Sequence, residues 1–263
     1  MEFINGKAKE KMIIQGNKYR FTVLSPCLIR LEYNPGSIFY DNPSQFAINR
    51  NFDEFEYEFK QDEKFLEIKT KYFTVHYTKE KDFDAGKLVP MANLKIDLNG
   101  TDKSWYVNHA EAKNMKGLFI SEDGDTKNQV KQKGLYSLDG FASFNDSDTL
   151  IYQEDGKLVP RENKYLDIYL FIYGKDYNEA LKSYFTLTGY PNLIPKYILG
   201  NWWSRDLTYT DQDVLDLSDN FINNELPLSV LILDKDWHIR KVNDKEYDTG
   251  YTFNKELIKE PSN

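Results

Sequence analysis

The chain has 263 residues, beyond the size at which one hydrophobic core usually suffices, so two domains are expected. Its 34 basic and 42 acidic residues give a net charge of −8 with no basic cluster, which argues against a nucleic-acid partner, because phosphate binding relies on clustered Lys and Arg. Cys27 is the single cysteine, so an intrachain disulfide framework is excluded, no zinc cluster is suggested, and the residue reads as a small buried hydrophobe. No run of about 20 apolar residues occurs and the N-terminus lacks a long apolar core. No membrane partner and a cytoplasmic location are therefore expected.

Up to about residue 175 the pattern is almost entirely β. Tyr19 to Leu24 reads as a strand, and Leu28 to Tyr33 alternates, with Ile29, Leu31 and Tyr33 on one face and Arg30 and Glu32 on the other. Tyr57–Phe59, Phe65–Lys69, Tyr72–Tyr77 and Leu94–Leu98 continue the series between turn signals, followed by Ala142–Phe144, Leu150–Tyr152 and the long run Leu166–Tyr173. Many short strands at this spacing predict an antiparallel sandwich. The 19 Tyr, 17 Phe and 4 Trp are read before residue 190 as packing and cross-strand pairs, although aromatic rings also stack on sugars. Asp176 to Thr188 switches to helical spacing, and Gly189-Tyr190-Pro191 stops it. The expected domains are 1–188 and 189–263.

The second domain opens with a strand–helix–strand pattern. Tyr197 to Trp203 is nearly all apolar and Leu228 to Leu233 contains Leu228, Val230, Leu231, Ile232 and Leu233, a pattern that suits parallel strands buried on both faces. Between them Thr210 and Asp213 form a capping-box pair, and Val214, Leu217 and Phe221 recur at helical spacing, with Leu215 and Ile222 widening the stripe. In parallel architectures ligands gather at the carboxyl ends of strands. Arg205 and Asp206 follow the first strand; Asp234, Asp236, Trp237 and His238 follow the second. Periodicity alone leaves a closed barrel and an open sheet equally admissible.

The ordered set Gly134-Leu135-Tyr136-Ser137-Leu138-Asp139-Gly140, Asn145-Asp146-Ser147, Asp167-Ile168-Tyr169, Tyr173-Gly174, Thr188-Gly189, Pro195, Leu199-Gly200, Trp202-Trp203-Ser204-Arg205, Pro227-Leu228, Asp234-Lys235-Asp236-Trp237-His238 and Gly250-Tyr251-Thr252-Phe253 resembles glycoside hydrolase family 31, the α-glucosidase and α-xylosidase family. The resemblance implies a β-sandwich followed by a (β/α)8 barrel that hydrolyses α-glucosides or α-xylosides with retention. It implies a pair of catalytic Asp residues, with carboxyl groups about 5–5.5 Å apart, on later barrel strands. The nucleophile is expected in a Trp-x-Asp-x-Asn-Glu segment near strand four. The sequence contains no such segment and ends at Pro261-Ser262-Asn263, where a third barrel strand is expected. The expected fold is therefore a sandwich followed by barrel strands 1 and 2 only, a truncated barrel with no catalytic residue in this chain and no cofactor or metal.

The resemblance matches Asp234 to an acceptor of a hydroxyl on the terminal sugar; the alternative is a loop cap. Asp236 is read as facing the same way or as holding Arg205. Arg205 serves equally well as structural ion-pair donor or substrate clamp. Asp206 stands where many relatives carry an aromatic residue. Trp237 and His238 are candidates for the pocket rim, with a loop histidine bonded to a carbonyl as the plainer reading of His238. Asp139, Asn145 and Asp146 are read as turn residues or as a lid, and His76 and His109 receive no role. The partner expected is carbohydrate, with self-association into a homo-oligomer or recruitment of another chain following from an exposed parallel edge. A non-catalytic carbohydrate-binding or structural sandwich is the competing function. An open sheet binding a nucleotide is disfavoured, because no Gly-rich phosphate loop follows either strand.

Overall fold

The computed structural model describes residues 6–83, 92–111, 113–118, 131–162, 165–246 and 250–262. The chain is mostly sheet with few helices and divides into two compact units, residues 1–190 and 191–263.

Unit 1 contains two five-stranded antiparallel sheets. The first runs in the order Ile13–Gln15, Tyr19–Ser25, Leu28–Tyr33, Leu166–Ile172, Phe141–Asn145. The second is a meander of Glu58–Gln61, Phe65–Lys69, Phe73–Thr78, Leu94–Leu98 and Ser104–Trp105. Strict alternation of buried and half-buried residues in Phe73–Thr78 and Leu94–Leu98 turns one row inward. Those residues share a core with Phe21, Val23, Ile29, Leu31, Leu170 and Ile172 of the first sheet. Tyr77 sits edge-on to Phe21 at 5.1 Å across that core, a preferred aromatic geometry.

The first sheet is covered on both faces. Its second face carries Leu28, Tyr169, Phe171 and Tyr173, packed with Ala47, Phe52 and helix α1 (Tyr177–Thr188). The helix has the boundaries its spacing predicts. Asp176 caps its first turn by accepting from the Glu179 amide, and Gly189 ends it at φ 87, where a side chain would be strained.

Covering that face also buries the polar half of the alternation. Arg30 and Glu32 are almost wholly enclosed. Arg30 donates to both oxygens of Asp167 (2.8 and 2.7 Å), and Arg20 donates to both of Glu32 (2.7 and 2.9 Å). Arg161 bridges Asp146 (2.9 Å) and Asp167 (2.8 Å), and Arg50 donates to the Tyr169 hydroxyl at 2.6 Å. Buried charges persist where partners and hydrogen bonds replace water, and bidentate Arg–carboxylate pairs do this best. Burial opposes ionisation of Asp167, but Arg30 and Arg161 outweigh it and hold the carboxyl well below its usual range. For Asp146 and Glu32 burial prevails and pushes the carboxyls up.

In unit 2 the parallel strands Trp202–Ser204 and Val230–Ile232 flank helix α2 (Asp211–Asn223). Both strands are shorter than the runs that predict them, the first because Lys196–Leu199 is a 3-10 turn instead of the start of a strand. They are not buried on both faces either: Trp202 and Ser204 are exposed, while Trp203 and Val230–Ile232 are half-buried. Among the described residues each strand has a single neighbour. Of the α2 stripe, Phe221 is buried and Val214 and Leu217 half-buried, whereas Leu215 and Ile222 are exposed. The apolar stripe is therefore narrower than predicted.

Candidate functional site

Parallel pairing sets the register Trp202 with Val230, Trp203 with Leu231 and Ser204 with Ile232. Both strands therefore stop at the same level, and Arg205-Asp206 emerges beside Leu233-Asp234. A parallel bridge between Thr208 and Lys235, one residue out of that register, keeps the two segments together, and Lys235 lies 3.7 Å from the Asp206 carboxylate. The pair is solvent-exposed and worth little on its own. Arg205 lies against Trp203, its guanidinium carbon 5.9 Å from the ring centroid. Trp203 in turn packs edge-on to Phe221 of α2 and donates from its indole nitrogen to the Tyr209 hydroxyl at 3.0 Å.

The two carboxylates of the second strand end have different fates. Asp236 takes a left-handed backbone (φ 59), accepts from the Thr208 hydroxyl at 2.7 Å and lies 3.9 Å from Arg240. It closes the turn and does not hold Arg205. Asp234 is exposed, and among the described residues no hydrogen bond or ion pair reaches its carboxylate. An anionic acceptor at a strand end, uncommitted to its own turn, is available to a ligand hydroxyl. The residue before it, Leu233, is only half-buried.

Trp237 and His238 belong to a clip that periodicity did not reveal. The Ile239 amide donates to Thr252 (2.9 Å) and the Asn254 amide to Trp237 (2.8 Å), with His238 opposite Phe253. Trp237 thereby meets Phe253 edge-on at 5.5 Å, with Tyr251 at 6.4 Å. His238 is buried, its Nδ1 3.3 Å from the Ile239 carbonyl. The clip is anchored to α2, since the Asp211 amide donates to Leu257 and the Asp211 carboxylate accepts from the Lys259 amide.

The three sandwich-turn candidates are accounted for within unit 1. Asp139 accepts from Lys103 at 2.8 Å, Asn145 closes an Asx turn on Ser147, and Asp146 belongs to the buried ion network. His76 lies between Glu67 (3.5 Å) and Asp97 (3.0 Å) on the outer face of the second sheet, and His109 packs against Phe141. Among the described residues no group of three His, Cys, Asp or Glu is placed to hold a metal ion, and no helix is long and apolar enough to cross a membrane.

A parallel strand–helix–strand unit with an uncommitted carboxylate at the carboxyl end of its strands has the arrangement at which α/β proteins place ligands. Residues 191–263 match the TIM-barrel domain of glycosyl hydrolases family 31. An α-xylosidase of Emericella nidulans is 30% identical over 127 residues, covering 44% of this chain and 16% of that protein. An α-xylosidase of Saccharolobus solfataricus is 29% identical over 99 residues, covering 38% of this chain and 12% of that protein. The solved structure of a family 31 dextranase from Flavobacterium johnsoniae in complex with glucose superposes with a TM-score of 0.54 at 16% identity, covering 98% of this chain and 36% of that one. Its fold is thus shared across nearly the whole chain. The chain is thus similar to members of glycoside hydrolase family 31 and spans a minor part of the length of the relatives it matches.

Proposed function

We propose that these residues form the front of a retaining α-glycoside hydrolase that acts on α-glucosides or α-xylosides. Unit 1 supplies the sandwich, and unit 2 supplies the first two strands of the barrel. Asp234 accepts a hydroxyl of the terminal sugar, with Arg205, Asp206, Asp236, Trp237 and His238 around it. The observation that carries this reading is the uncommitted Asp234 carboxylate at the shared end of two parallel strands. The α-xylosidase relatives support the substrate class. The catalytic pair lies outside these 263 residues, which contribute binding and not bond cleavage.

Ligand-observed NMR with methyl α-D-glucoside and methyl α-D-xyloside tests the site. Loss of a charge-assisted acceptor costs about 1.5–3 kcal/mol, or roughly tenfold or more in affinity. Binding of either glycoside should therefore weaken at least that much in Asp234→Ala. Undiminished binding in the variant would mean that sugar, if held at all, is held elsewhere, as in the non-catalytic sandwich reading.

A further inference from the structure

The segment leading into strand Glu58–Gln61 of unit 1 runs without helix, turn or bend and also without a pairing partner. From Asp53 to Glu56 no backbone N–H or C=O meets a hydrogen-bond partner among the described residues. Strand Glu58–Gln61 continues it at the edge of its sheet, paired on one side only among those residues. From Glu54 to Glu58 exposure alternates, with Phe55 and Tyr57 half-buried between exposed carboxylates, the period of an extended strand. Side chains fix this course in place of ladder bonds. Phe52 is buried, and Phe55 and Tyr57 pack against the core shared by the two sheets. The Tyr57 hydroxyl donates to the Lys11 carbonyl at 2.9 Å, and Glu54 lies 3.1 Å from the Lys11 ammonium. An open backbone already held in this way leaves a reduced ordering cost to a strand that adds to it.

Three hollows share the segment as a wall. One of about 440 Å3 includes Phe55, Tyr57 and Phe59, one of about 490 Å3 includes Glu56, Tyr57 and Thr70, and one of about 270 Å3 includes Phe52, Phe55 and Ser183 of α1. Peptides that add as a strand gain affinity from main-chain hydrogen bonds and specificity from pockets for alternate side chains. Both elements meet here. The segment carries Asp53, Glu54, Glu56 and Glu58, of which Glu54 pairs with Lys11 and Glu58 with Lys69. Among the described residues the exposed carboxylates of Asp53 and Glu56 have no partner. Antiparallel pairing with a second copy would bring four carboxylates from each chain into one ribbon, and like charges across strands are destabilising. A strand carrying Lys or Arg gains from the same carboxylates.

We propose that residues 53–58 are a docking edge for an extended basic segment of a partner protein, one that alternates Lys or Arg with apolar residues. Its backbone pairs with the open N–H and C=O groups, its apolar side chains enter the hollows, and a cation faces Glu56. The site belongs to unit 1 and does not depend on whether Asp234 holds a sugar.

The 263-residue protein is titrated with acetyl-Lys-Val-Lys-Val-Lys-Val-amide and with its Glu-Val and Lys-Pro counterparts. The Lys-Pro peptide keeps the charge but lacks alternate N–H groups and cannot pair as a strand. Amide–water exchange followed by NMR reads which backbone groups become protected. The Lys-Val peptide should bind saturably and slow exchange within residues 53–58. The other two should bind at least about fivefold more weakly. Glu56→Lys, at an exposed position, should weaken the Lys-Val peptide about fivefold, as a like-charge pair replaces an opposite one, and leave the far-UV circular dichroism unchanged. Equal binding of the Lys-Pro peptide would reduce the effect to charge attraction, and equal binding of the Glu-Val peptide to apolar contact; either result overturns the proposal. Protection confined to other residues would place the peptide elsewhere, with the same consequence. Protection of 53–58 that grows with protein concentration before any peptide is added would give the edge to a second copy and overturn it too. So would the absence of saturable binding.

Discussion

Asp167 accepts from two arginines that have no water to fall back on, Arg30 at 2.7 Å and Arg161 at 2.8 Å. Replacing it by Asn removes the charge but keeps the shape. Breaking a buried pair from one side costs about 3–5 kcal/mol, because the partners stay buried and unpaired. Asp167→Asn should therefore lower the stability of unit 1 by that amount near neutral pH, as followed by denaturant titration with far-UV circular dichroism. The pH dependence follows from the direction of the shift. The folded carboxyl titrates below its unfolded value of about 3.9, so its contribution is complete above that pH and is lost as pH falls below it. The gap between parent and Asp167→Asn should close on acidification below about pH 4, and a gap that stays constant there would show that the ion pairs are not its source. Arg30 and Glu32 also mark a limit of sequence reading. Alternation reports which side of a strand a residue occupies, and it placed them opposite Leu31. It does not report whether that side is covered, which here depends on α1 and on segments far away in sequence.

Among the elements, α1 and α2 were legible because their signals are local. Thr210 and Asp213 are three residues apart, and the reciprocal bonds form as that spacing requires: the Asp213 amide reaches the Thr210 hydroxyl at 3.3 Å, and the Thr210 amide reaches the Asp213 carboxylate at 2.8 Å. Thr210→Ala should destabilise unit 2 by about 1 kcal/mol, and Thr210→Ser should restore most of the loss. If the Ala and Ser variants melt alike, the hydroxyl is not the stabilising group. The strand ends were less legible. The run from Tyr197 to Trp203 is nearly all apolar, but its first half curls into a 3-10 turn, and apolarity alone does not distinguish a buried strand from a short helical turn. The site was legible in the same uneven way. Parallel register brings Asp234 beside Arg205 and Asp206, as the strand–helix–strand pattern implied. The clip from Trp237 to Asn254 pairs segments across a loop, and no periodic signal announces such a pairing. The difference between Asp234 and Asp236 turns on a single left-handed residue and a threonine hydroxyl 28 positions upstream.

At the scale of the whole molecule the two units carry unequal cores. Unit 1 has two full clusters, while Phe221, His238 and Ile258 are the only buried residues among those described in unit 2. Leu199, Ile222 and Tyr251 face solvent, a load of apolar surface that single domains seldom leave uncovered. Unit 2 should melt first and bind an apolar dye before unit 1 yields. Trp202, Trp203 and Trp237 lie in unit 2 and Trp105 in the core of unit 1, so in a Trp105→Phe background tryptophan fluorescence should change at lower temperature than the far-UV signal of the sheets. Coincident transitions would contradict this. The same division bears on catalysis. Retention needs a nucleophile and an acid/base that flank the scissile bond about 5–5.5 Å apart. Asp234 and Asp236 leave one strand end two residues apart, and Asp236 is already committed to Thr208 at 2.7 Å. Asp206 comes from the neighbouring end of the same sheet and lies beside Lys235. All three carboxylates leave the same end of one two-stranded sheet, whereas the mechanism needs groups that flank the bond. The purified 263-residue protein should accordingly release no p-nitrophenol from aryl α-glucoside or α-xyloside above the buffer rate, even where it binds methyl glycosides. Turnover that disappears in Asp234→Asn would place the chemistry in these residues after all, with Asp234 as a participant in bond cleavage instead of an acceptor for the sugar.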